Sequence, residues 1–294
     1  MIPLKLLDWI DKNKLDYHYL SDNPNAIQFL RDNPDKIYWR LLSKNPNAID
    51  IIKDNLNKID WRLLSGNSEA MDILLANPDK IDRYYINDNQ NAIEYLKKNP
   101  KKINWYNFAK NPNAIEVIKA NPHKINWTLL SCNPNAIEVI KANPEKIVWD
   151  FISINPNAIE ILRANPDKID YYYLSENPNA IELLKENFNK IDWSNLSTNP
   201  NAIELLKANP HKINWMALSG NPNAIELLKE NQHKIDWSNL STNPSIFNYD
   251  YEKMRNSNLE LKEEIIAAAL HPKRIFRLID EYGENIIYDI YLDD

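Results

Sequence analysis

The sequence has few of the residues on which several common functional sites depend. It holds only three glycines, Gly66, Gly220 and Gly283, so neither a GxGxxG nor a Walker-type phosphate loop can be written on it. Its one cysteine, Cys132, excludes an internal disulfide and any paired-cysteine zinc or redox motif. No stretch approaches the roughly 18 apolar residues of a membrane-spanning helix. These absences exclude nucleotide-cradling folds and give no indication of secretion or of membrane insertion.

Charge and composition narrow the class further. The 294 residues are 44% hydrophobic and 26% charged, which disfavours disorder. A net charge of −6 and a pI of about 5.5 disfavour a nucleic-acid partner, because nucleic-acid-binding domains are usually basic. The N-terminal segment meets Asp8 and Trp9 before an apolar run of signal length forms. We therefore expect a soluble intracellular protein.

A repeat of fixed length dominates the chain. One asparagine series recurs every 22 residues, and a second series divides each period into a ten-residue and a twelve-residue half. The first series is Asn23, Asn45, Asn67, Asn89, Asn111, Asn133, Asn155, Asn177, Asn199, Asn221 and Asn243. The unit reads NPNAIELLKANPxKIDWxxLSx. A short fixed period of this kind is typical of a solenoid, in which each unit buries its apolar face only by stacking on its neighbours.

The first half of each unit has the pattern of a capped helix. In the fifth copy, Asn111 supplies an N-cap and the proline after it occupies the first helical position. Ala114, Ile115, Val117 and Ile118 then form a broad apolar face. The second asparagine, here at 121, is interpreted as a helix stop in the left-handed conformation.

The second half predicts a shorter helix. Asp or Asn precedes an aromatic residue in most copies and forms a second N-cap position. Eight large rings at one register favour a core between two helix layers. Tryptophan fills this aromatic slot at Trp39, Trp61, Trp105, Trp127, Trp149, Trp193, Trp215 and Trp237, and the exceptions are Arg83 and Tyr171.

These patterns predict an all-α solenoid of tandem 22-residue units with two short helices each. Residues 1–22 are expected to be an N-terminal cap built as a degenerate half-repeat, and 23–242 are the ten tandem repeats. Residues 243–294 are expected to be a C-terminal helical cap, with helices near 259–270 and 272–283. With neighbouring helices 8–10 Å apart, ten units would form a rod or superhelix roughly 80–100 Å long.

The unit resembles the tandem Asn-Pro repeats of uncharacterised proteins from giant nucleocytoplasmic double-stranded DNA viruses of amoebae and algae. The tail, with NYDY at 248–251 and HPKRI at 271–275, is similar to the ending of such proteins. The resemblance covers nearly the whole chain. It implies a viral protein in the host cytoplasm or in the virion, and it assigns no activity and no site residues.

Variation among the copies locates candidate binding residues. The slot after the aromatic residue changes in chemistry from copy to copy, whereas the stacking slots do not. Repeat scaffolds bind partners through such aligned variable positions, although free drift of an exposed slot explains the variation equally well. Arg and Tyr dominate interface energies, so they are the preferred anchors for a protein partner. The candidate partner-binding residues are Arg40, Arg62, Arg83, Tyr84, Tyr106 and Tyr172.

An invariant lysine precedes the Ile of each second half, and we call this series the lysine row. Ammonium groups spaced one unit apart could follow a phosphate backbone. Two alternatives compete: pairing with the acidic slot of the first helix, and covering of an aromatic face by the lysine stem. The lysine row is Lys36, Lys58, Lys80, Lys102, Lys124, Lys146, Lys168, Lys190, Lys212 and Lys234.

The leading hypothesis is a non-enzymatic scaffold that binds one or more protein partners along a variable face. The first alternative is a virion or assembly component that self-associates through its ends, and the second is nucleic-acid binding along the lysine row. The serine slot repeats in almost every copy, so it is not a catalytic nucleophile. No catalytic residue, cofactor or metal site is predicted, and the chain is expected to be a monomer or to self-associate weakly.

Overall fold

The computed structural model describes residues 3–256, 262, 266–267, 270–283 and 287. The chain divides into two compact parts. The first, Leu6–Phe247, holds every repeat and is called the repeat domain. The second combines Met1–Lys5 with Asn248–Asp294 and is called the terminal part. The repeat domain is helical throughout, which confirms the predicted all-α repeat architecture.

The first half of each unit forms a short helix preceded by a turn. The predicted N-cap is confirmed: the Asn111 side chain accepts the Asn113 N–H at 3.0 Å. It caps a 3-10 turn, Pro112–Ala114, and the α-helix begins only at Ile115. The first-half helices are Ile27–Arg31, Ile49–Lys53, Met71–Ala76, Ile93–Lys98, Ile115–Lys119, Ile137–Lys141, Ile159–Arg163, Ile181–Glu186, Ile203–Lys207 and Ile225–Glu230.

The second half forms a helix that starts at the aromatic slot, as expected. The second-half helices are Tyr17–Leu20, Trp39–Leu42, Trp61–Ser65, Trp105–Phe108, Trp127–Ser131, Trp149–Ser153, Tyr171–Glu176, Trp193–Thr198, Trp215–Ser219 and Trp237–Thr242. Where Arg83 replaces the aromatic residue, only a 3-10 turn, Tyr85–Asn87, is formed.

The second asparagine ends the first-half helix by a different device from the one predicted. Asn121 has φ −134° and ψ 57°, and no non-glycine residue in the described part of the chain has a positive φ. Instead, its side-chain amide donates to the Val117 carbonyl at 2.9 Å. The left-handed stop is therefore wrong, because the asparagine side chain satisfies a free helix-end carbonyl directly.

Each joint between units is held by buried asparagine. The Asn155 amide nitrogen donates to the backbone oxygens of Ser131 and Asn133, both at 2.9 Å, while its oxygen caps the Asn157 N–H. Asn157 donates in turn to the Pro134 oxygen at 2.9 Å. These bonds connect each unit to the unit before it.

Serine adds a further bond to each joint where it is present. Ser153 Oγ donates to the Trp149 carbonyl at 2.8 Å and accepts the Asp170 N–H of the next unit at 3.1 Å. The buried serine therefore fixes the start of the following second-half helix.

The same bonds join the first unit to the last. The Asn23 amide nitrogen donates to the oxygens of Ser241 and Asn243 at 3.0 and 2.9 Å, and Asn25 donates to the Pro244 oxygen at 2.9 Å. The Asp16 N–H donates to Ser241 Oγ at 2.8 Å. Because this joint repeats the chemistry of the internal joints, the repeat domain is a closed ring.

The closed ring corrects two expectations. The repeats do not form an open rod of roughly 80–100 Å, since the stacking faces of the first and last units bind each other. Residues 16–22 are also not a terminal cap. They form the second half of an eleventh unit, whose first half begins at Asn243 and Pro244–Ile246. The sequence ends of the repeat array thus contribute to one composite unit.

The second-half helices form the inner wall of the ring. From Trp127–Ser131 round to Tyr17–Leu20, neighbouring second-half helices bring Cα atoms within 8 Å of each other at several positions, whereas first-half helices do so much less. In a closed ring, the layer with the shorter spacing lies nearer the axis. The first-half helices therefore form the outer wall.

The composite unit lacks a first-half helix. The chain instead enters strand β2, Phe247–Tyr249, which pairs with strand β1, Leu4–Leu6. Further along, residues 251–256 are helical, and a helix at Pro272–Tyr282 ends at Gly283, whose φ is 92°. That helix confirms the second tail prediction, whereas the predicted helix near 259–270 falls mostly outside the described residues.

Replacement of Asn23 by alanine tests ring closure. In the ring, Asn23→Ala removes two buried amide bonds and a cap, so we expect a loss of about 2–4 kcal/mol in the free energy of unfolding. Asn155→Ala should cost the same amount, because its bonds are equivalent. Urea denaturation followed by circular dichroism measures both losses.

The exposed Asn157→Ala variant is the matched control and should lose less than about 1 kcal/mol. In an open solenoid Asn23 would lack its inter-unit partners. A markedly smaller loss for Asn23→Ala than for Asn155→Ala would therefore contradict the closed ring.

Candidate functional site

The N-cap of each second-half helix sets the position of the variable slot. In the seventh such helix, Asp170 Oδ1 accepts the N–H groups of Tyr172 and Tyr173 at 2.9 and 3.2 Å. This fixes the helix start at Tyr171. The residue after the aromatic one then takes the same register on the inner wall in each unit, and it is exposed everywhere except at the half-buried Thr128 and Ser238.

These positions form what we call the variable row. It contains the five expected anchors Arg40, Arg62, Tyr84, Tyr106 and Tyr172, all of which are exposed. The exposed fractions of Tyr84, Tyr106 and Tyr172 are 59%, 57% and 56%. The full variable row is His18, Arg40, Arg62, Tyr84, Tyr106, Thr128, Asp150, Tyr172, Ser194, Met216 and Ser238.

Neighbouring positions of the variable row are linked through the caps between them. Arg40 Nε lies 3.7 Å from Oδ2 of Asp60, the N-cap of the next unit. Ser194 Oγ accepts a bond from the amide of the next cap, Asn214, at 3.2 Å. Ser238 Oγ donates to Asp16 Oδ2 at 3.4 Å and so continues this contact across the closing joint. The variable row thus contacts the following cap at three joints of the ring, one of which is the closing joint.

Arg83 does not join the other expected anchors. It is exposed, but it occupies the aromatic register one residue before the variable row. The cap Asp82 accepts the N–H groups of Tyr84 and Tyr85, and a role of Arg83 in partner binding stays a prediction. That cap sets the register so that Tyr84 takes the variable position.

Ring closure adds aromatic residues that sequence analysis missed. His18 belongs to the variable row because Tyr17 fills the aromatic slot of the composite unit. Its ring packs edge-on against Tyr19 and Tyr38, with centroids 5.0 and 4.9 Å apart. The position of Tyr17 in the aromatic register was the available signal for His18.

Arginines and tyrosines lie next to one another along one arc of the variable row. The Arg62 guanidinium carbon lies 5.5 Å from the Tyr85 ring centroid, within cation–π range. We call the five consecutive positions His18, Arg40, Arg62, Tyr84 and Tyr106 the Arg–Tyr arc. It is the part of the inner wall that is richest in residues able to anchor a partner.

Most of the lysine row lies over aromatic rings, as one of the alternatives predicted. Each such ammonium sits over the aromatic residue of the preceding unit, 4.4 to 5.1 Å from the ring centroid, and Lys14 makes the same contact across the closing joint. The pairs are Lys14–Trp237, Lys36–Tyr17, Lys58–Trp39, Lys124–Trp105, Lys168–Trp149, Lys190–Tyr171, Lys212–Trp193 and Lys234–Trp215.

Lys102 makes its cation–π contact with a different ring. The preceding aromatic slot holds Arg83, and Lys102 instead packs against the Tyr95 ring at 5.0 Å and bonds to its hydroxyl. An arginine in the slot removes the ring and repels the ammonium, so the lysine turns to the nearest other aromatic face.

The acidic slot of the first-half helices pairs with other lysines. Glu116 bonds Lys119 at 2.9 Å, and Glu204 bonds Lys207 at the same distance. These pairs lie three residues apart on one helix, where side chains are neighbours. The alternative that this slot pairs with the lysine row is therefore wrong.

The outer wall carries grooves between neighbouring first-half helices. Two successive grooves have volumes of about 370 and 270 Å³, and the same slots line both. Their floor is apolar, with Trp149, Ile147 and Pro144 in the larger one. The small residues Ala142 and Ala164 leave this space open. In the next unit the same position is Glu186, which pairs with Arg163 at 2.8 Å across the joint.

The residue just before each first-series asparagine forms ion pairs between neighbouring units at two joints. Asp22 pairs with Lys44 at 2.6 Å, and Asp88 pairs with Lys110 at 3.2 Å. Burial raises the pKa of the Asp88 carboxyl above its ordinary value, and Lys110 offsets part of that rise. Burial likewise raises the pKa of the Cys132 thiol, which disfavours its reactive thiolate form.

The described residues contain no cluster of three or more His, Cys, Asp or Glu side chains able to hold a metal ion. Within the same residues, no helix combines the length and apolar character that crossing a bilayer requires.

No protein-family model matches the chain, and neither a curated protein nor a solved structure matches it. The resemblance to the Asn-Pro repeat proteins of giant viruses therefore remains a prediction that rests on the repeat unit and the tail segments.

Replacement of Asp88 tests its ion pair with Lys110 through the pH dependence of the free energy of unfolding. A carboxyl with a raised folded-state pKa holds its proton more tightly in the folded protein, so its contribution to stability falls as pH rises through that pKa. We compare the free energy of unfolding of Asp88→Asn with that of the unsubstituted protein at each pH. The variant minus the unsubstituted protein should be a larger value at about pH 7 than at about pH 4. Urea denaturation across this range measures the difference.

Lys110→Gln is the matched variant, because it removes the cation that offsets burial. It should lose more stability near neutral pH than in acid. A relative stability of Asp88→Asn that falls as pH rises would contradict this account.

Proposed function

We propose that the protein is a non-enzymatic scaffold that binds protein partners along the variable row of its inner wall. The observation that carries the proposal is the contrast between slots. The slots that build the joints are nearly uniform, whereas the variable row is largely exposed and chemically diverse. A catalytic role finds no support, because the polar groups of each unit recur in the other units and serve the joints.

The Arg–Tyr arc is the proposed anchor of the partner. Its tyrosines present large rigid rings, and its arginines present guanidinium groups held over or beside neighbouring side chains. Such pre-positioned residues lose little conformational freedom on binding. Arg and Tyr also dominate the energetics of known interfaces.

Self-association through the ends has less support in the ring. Both stacking faces that such assembly would use are bound to each other at the closing joint. A monomer or a weakly self-associating protein therefore fits the repeat domain better than an end-to-end polymer. The resemblance to giant-virus repeat proteins supports the host cytoplasm or the virion as its location.

Nucleic-acid binding along the lysine row is the second candidate. In its favour, five of the acidic slots pair with a lysine of their own helix and not with this row. Against it stand the net charge of −6 and the aromatic contacts that already hold most of these ammonium groups.

A serine variant of the Arg–Tyr arc tests the scaffold proposal. Ser194 and Ser238 occupy the same slot in other units, so the fold accommodates serine there. Partner affinity should fall at least about 100-fold, since several anchors are removed together. The measurement is capture from nuclease-treated amoebal lysate, followed by quantitative mass spectrometry and titration of the recovered protein. The four changes are Arg40→Ser, Arg62→Ser, Tyr84→Ser and Tyr106→Ser.

The matched control carries four serine substitutions on the outer wall and should retain the partner. Recovery of the same partners by the arc variant and the unsubstituted protein would overturn the proposal. The control changes are Arg31→Ser, Lys53→Ser, Leu75→Ser and Lys98→Ser.

The lysine row has its own test. Glutamine at Lys168, Lys190 and Lys212 removes three successive ammonium groups without altering the aromatic slots. If the row binds phosphate backbones, these changes should weaken binding of a labelled single-stranded oligonucleotide at low salt, and added salt should weaken it further. No binding by the unsubstituted protein at low salt would exclude this candidate.

A further inference from the structure

The C-terminal helix, Pro272–Tyr282, lies outside the repeat domain and has a well-defined start. His271 is its N-cap, and His271 Nδ1 accepts the Lys273 N–H at 3.2 Å. Pro272 occupies the first helical position, where a missing N–H costs nothing. Because Nδ1 accepts a bond, a neutral His271 ring carries its proton on Nε2 and can donate it outward.

Four basic side chains at this helix start line one open cavity. They are His271, Lys273, Arg274 and Arg277, and they surround a volume of about 420 Å³. Among the residues that the structure describes, no carboxylate lines it. Arg274 and Arg277 lie three residues apart and therefore project from the same side of the helix.

The cations of this cavity differ from those of the ring. In the repeat domain, Lys119, Lys185 and Lys207 each have a glutamate within 2.9 Å. Among the described residues, by contrast, no ion pair involves Lys273, Arg274 or Arg277. A cluster of positive charge on a chain of net charge −6 is a local feature and does not follow from composition.

We propose that this cavity binds a phosphate group carried by a phosphorylated small molecule or by a lipid headgroup. Two guanidinium groups can each bond phosphate oxygens through two N–H donors, and Lys273 adds a mobile point charge. His271 Nε2 supplies a further donor. The N-terminal end of the eleven-residue helix contributes a favourable field for an anion.

The size of the cavity favours a phosphate with a substituent or a second phosphate. Its volume lies within the range of small-molecule pockets. Three permanent positive charges also match a diphosphate better than a singly charged anion. This site is independent of the proposed scaffold role and of the lysine row.

Titration calorimetry with inorganic pyrophosphate at low ionic strength tests the site on the full chain. The Arg274→Gln/Arg277→Gln variant should bind at least about tenfold more weakly, because it loses two charge-assisted bonding groups. Lys185→Gln/Lys207→Gln removes two cations from the ring and should bind like the unsubstituted protein. Circular dichroism of all three proteins checks that folding is unchanged.

A second arm distinguishes the source of the phosphate. Co-sedimentation is measured with phosphatidylcholine vesicles, with and without phosphatidylinositol 4-phosphate. Binding of pyrophosphate that requires both arginines supports a soluble ligand, and arginine-dependent binding only to the phosphoinositide vesicles supports a lipid headgroup. The proposal is overturned if neither probe binds, or if the arginine variant binds both probes as the unsubstituted protein does.

Discussion

The buried first-series asparagine is the residue on which the architecture depends. Its side chain has two N–H donors and one oxygen, and all three are used: two bonds to the preceding unit and one cap within its own unit. An unpaired buried amide is costly, so the stack is favourable only when the next unit is placed within hydrogen-bond distance. The 22-residue period is constant because one inserted residue would break all three bonds.

Closure follows from the difference in spacing between the two helix layers. The inner-wall helices approach each other more closely than the outer-wall helices do, so each joint adds curvature of the same sign. Eleven such joints return the chain to its start, where Asn23 meets Ser241 and Asn243. The composite unit then takes one half from each end of the array, which satisfies two stacking faces that an open array would leave exposed.

Local features of the fold were predictable, whereas closure was not. Helix starts at Asn111 and Asp170, and the ion pair Glu116–Lys119, follow from spacing and capping within one unit. The ring depends on the angle between neighbouring units, which a sequence period does not specify. Tyr17 in the aromatic register shows that residues 14–22 match a second half, but not which unit completes it. The slots of Arg83 and His18 can be read from the sequence, whereas the pairing of residues 16–22 with the half-unit at Asn243 emerges only from the three-dimensional arrangement.

The joints also determine where recognition can be encoded. Since the closing joint repeats the internal ones, the backbone of the ring presents nearly the same surface at every unit, and a partner cannot distinguish positions by shape alone. The variable row breaks this equivalence, with Arg40 and Arg62 on one arc and Asp150 and Ser194 on another. A partner that contacts several units is therefore oriented by the order of these side chains. Substitution in the variable row can change what binds without altering the asparagine bonds that hold the ring together.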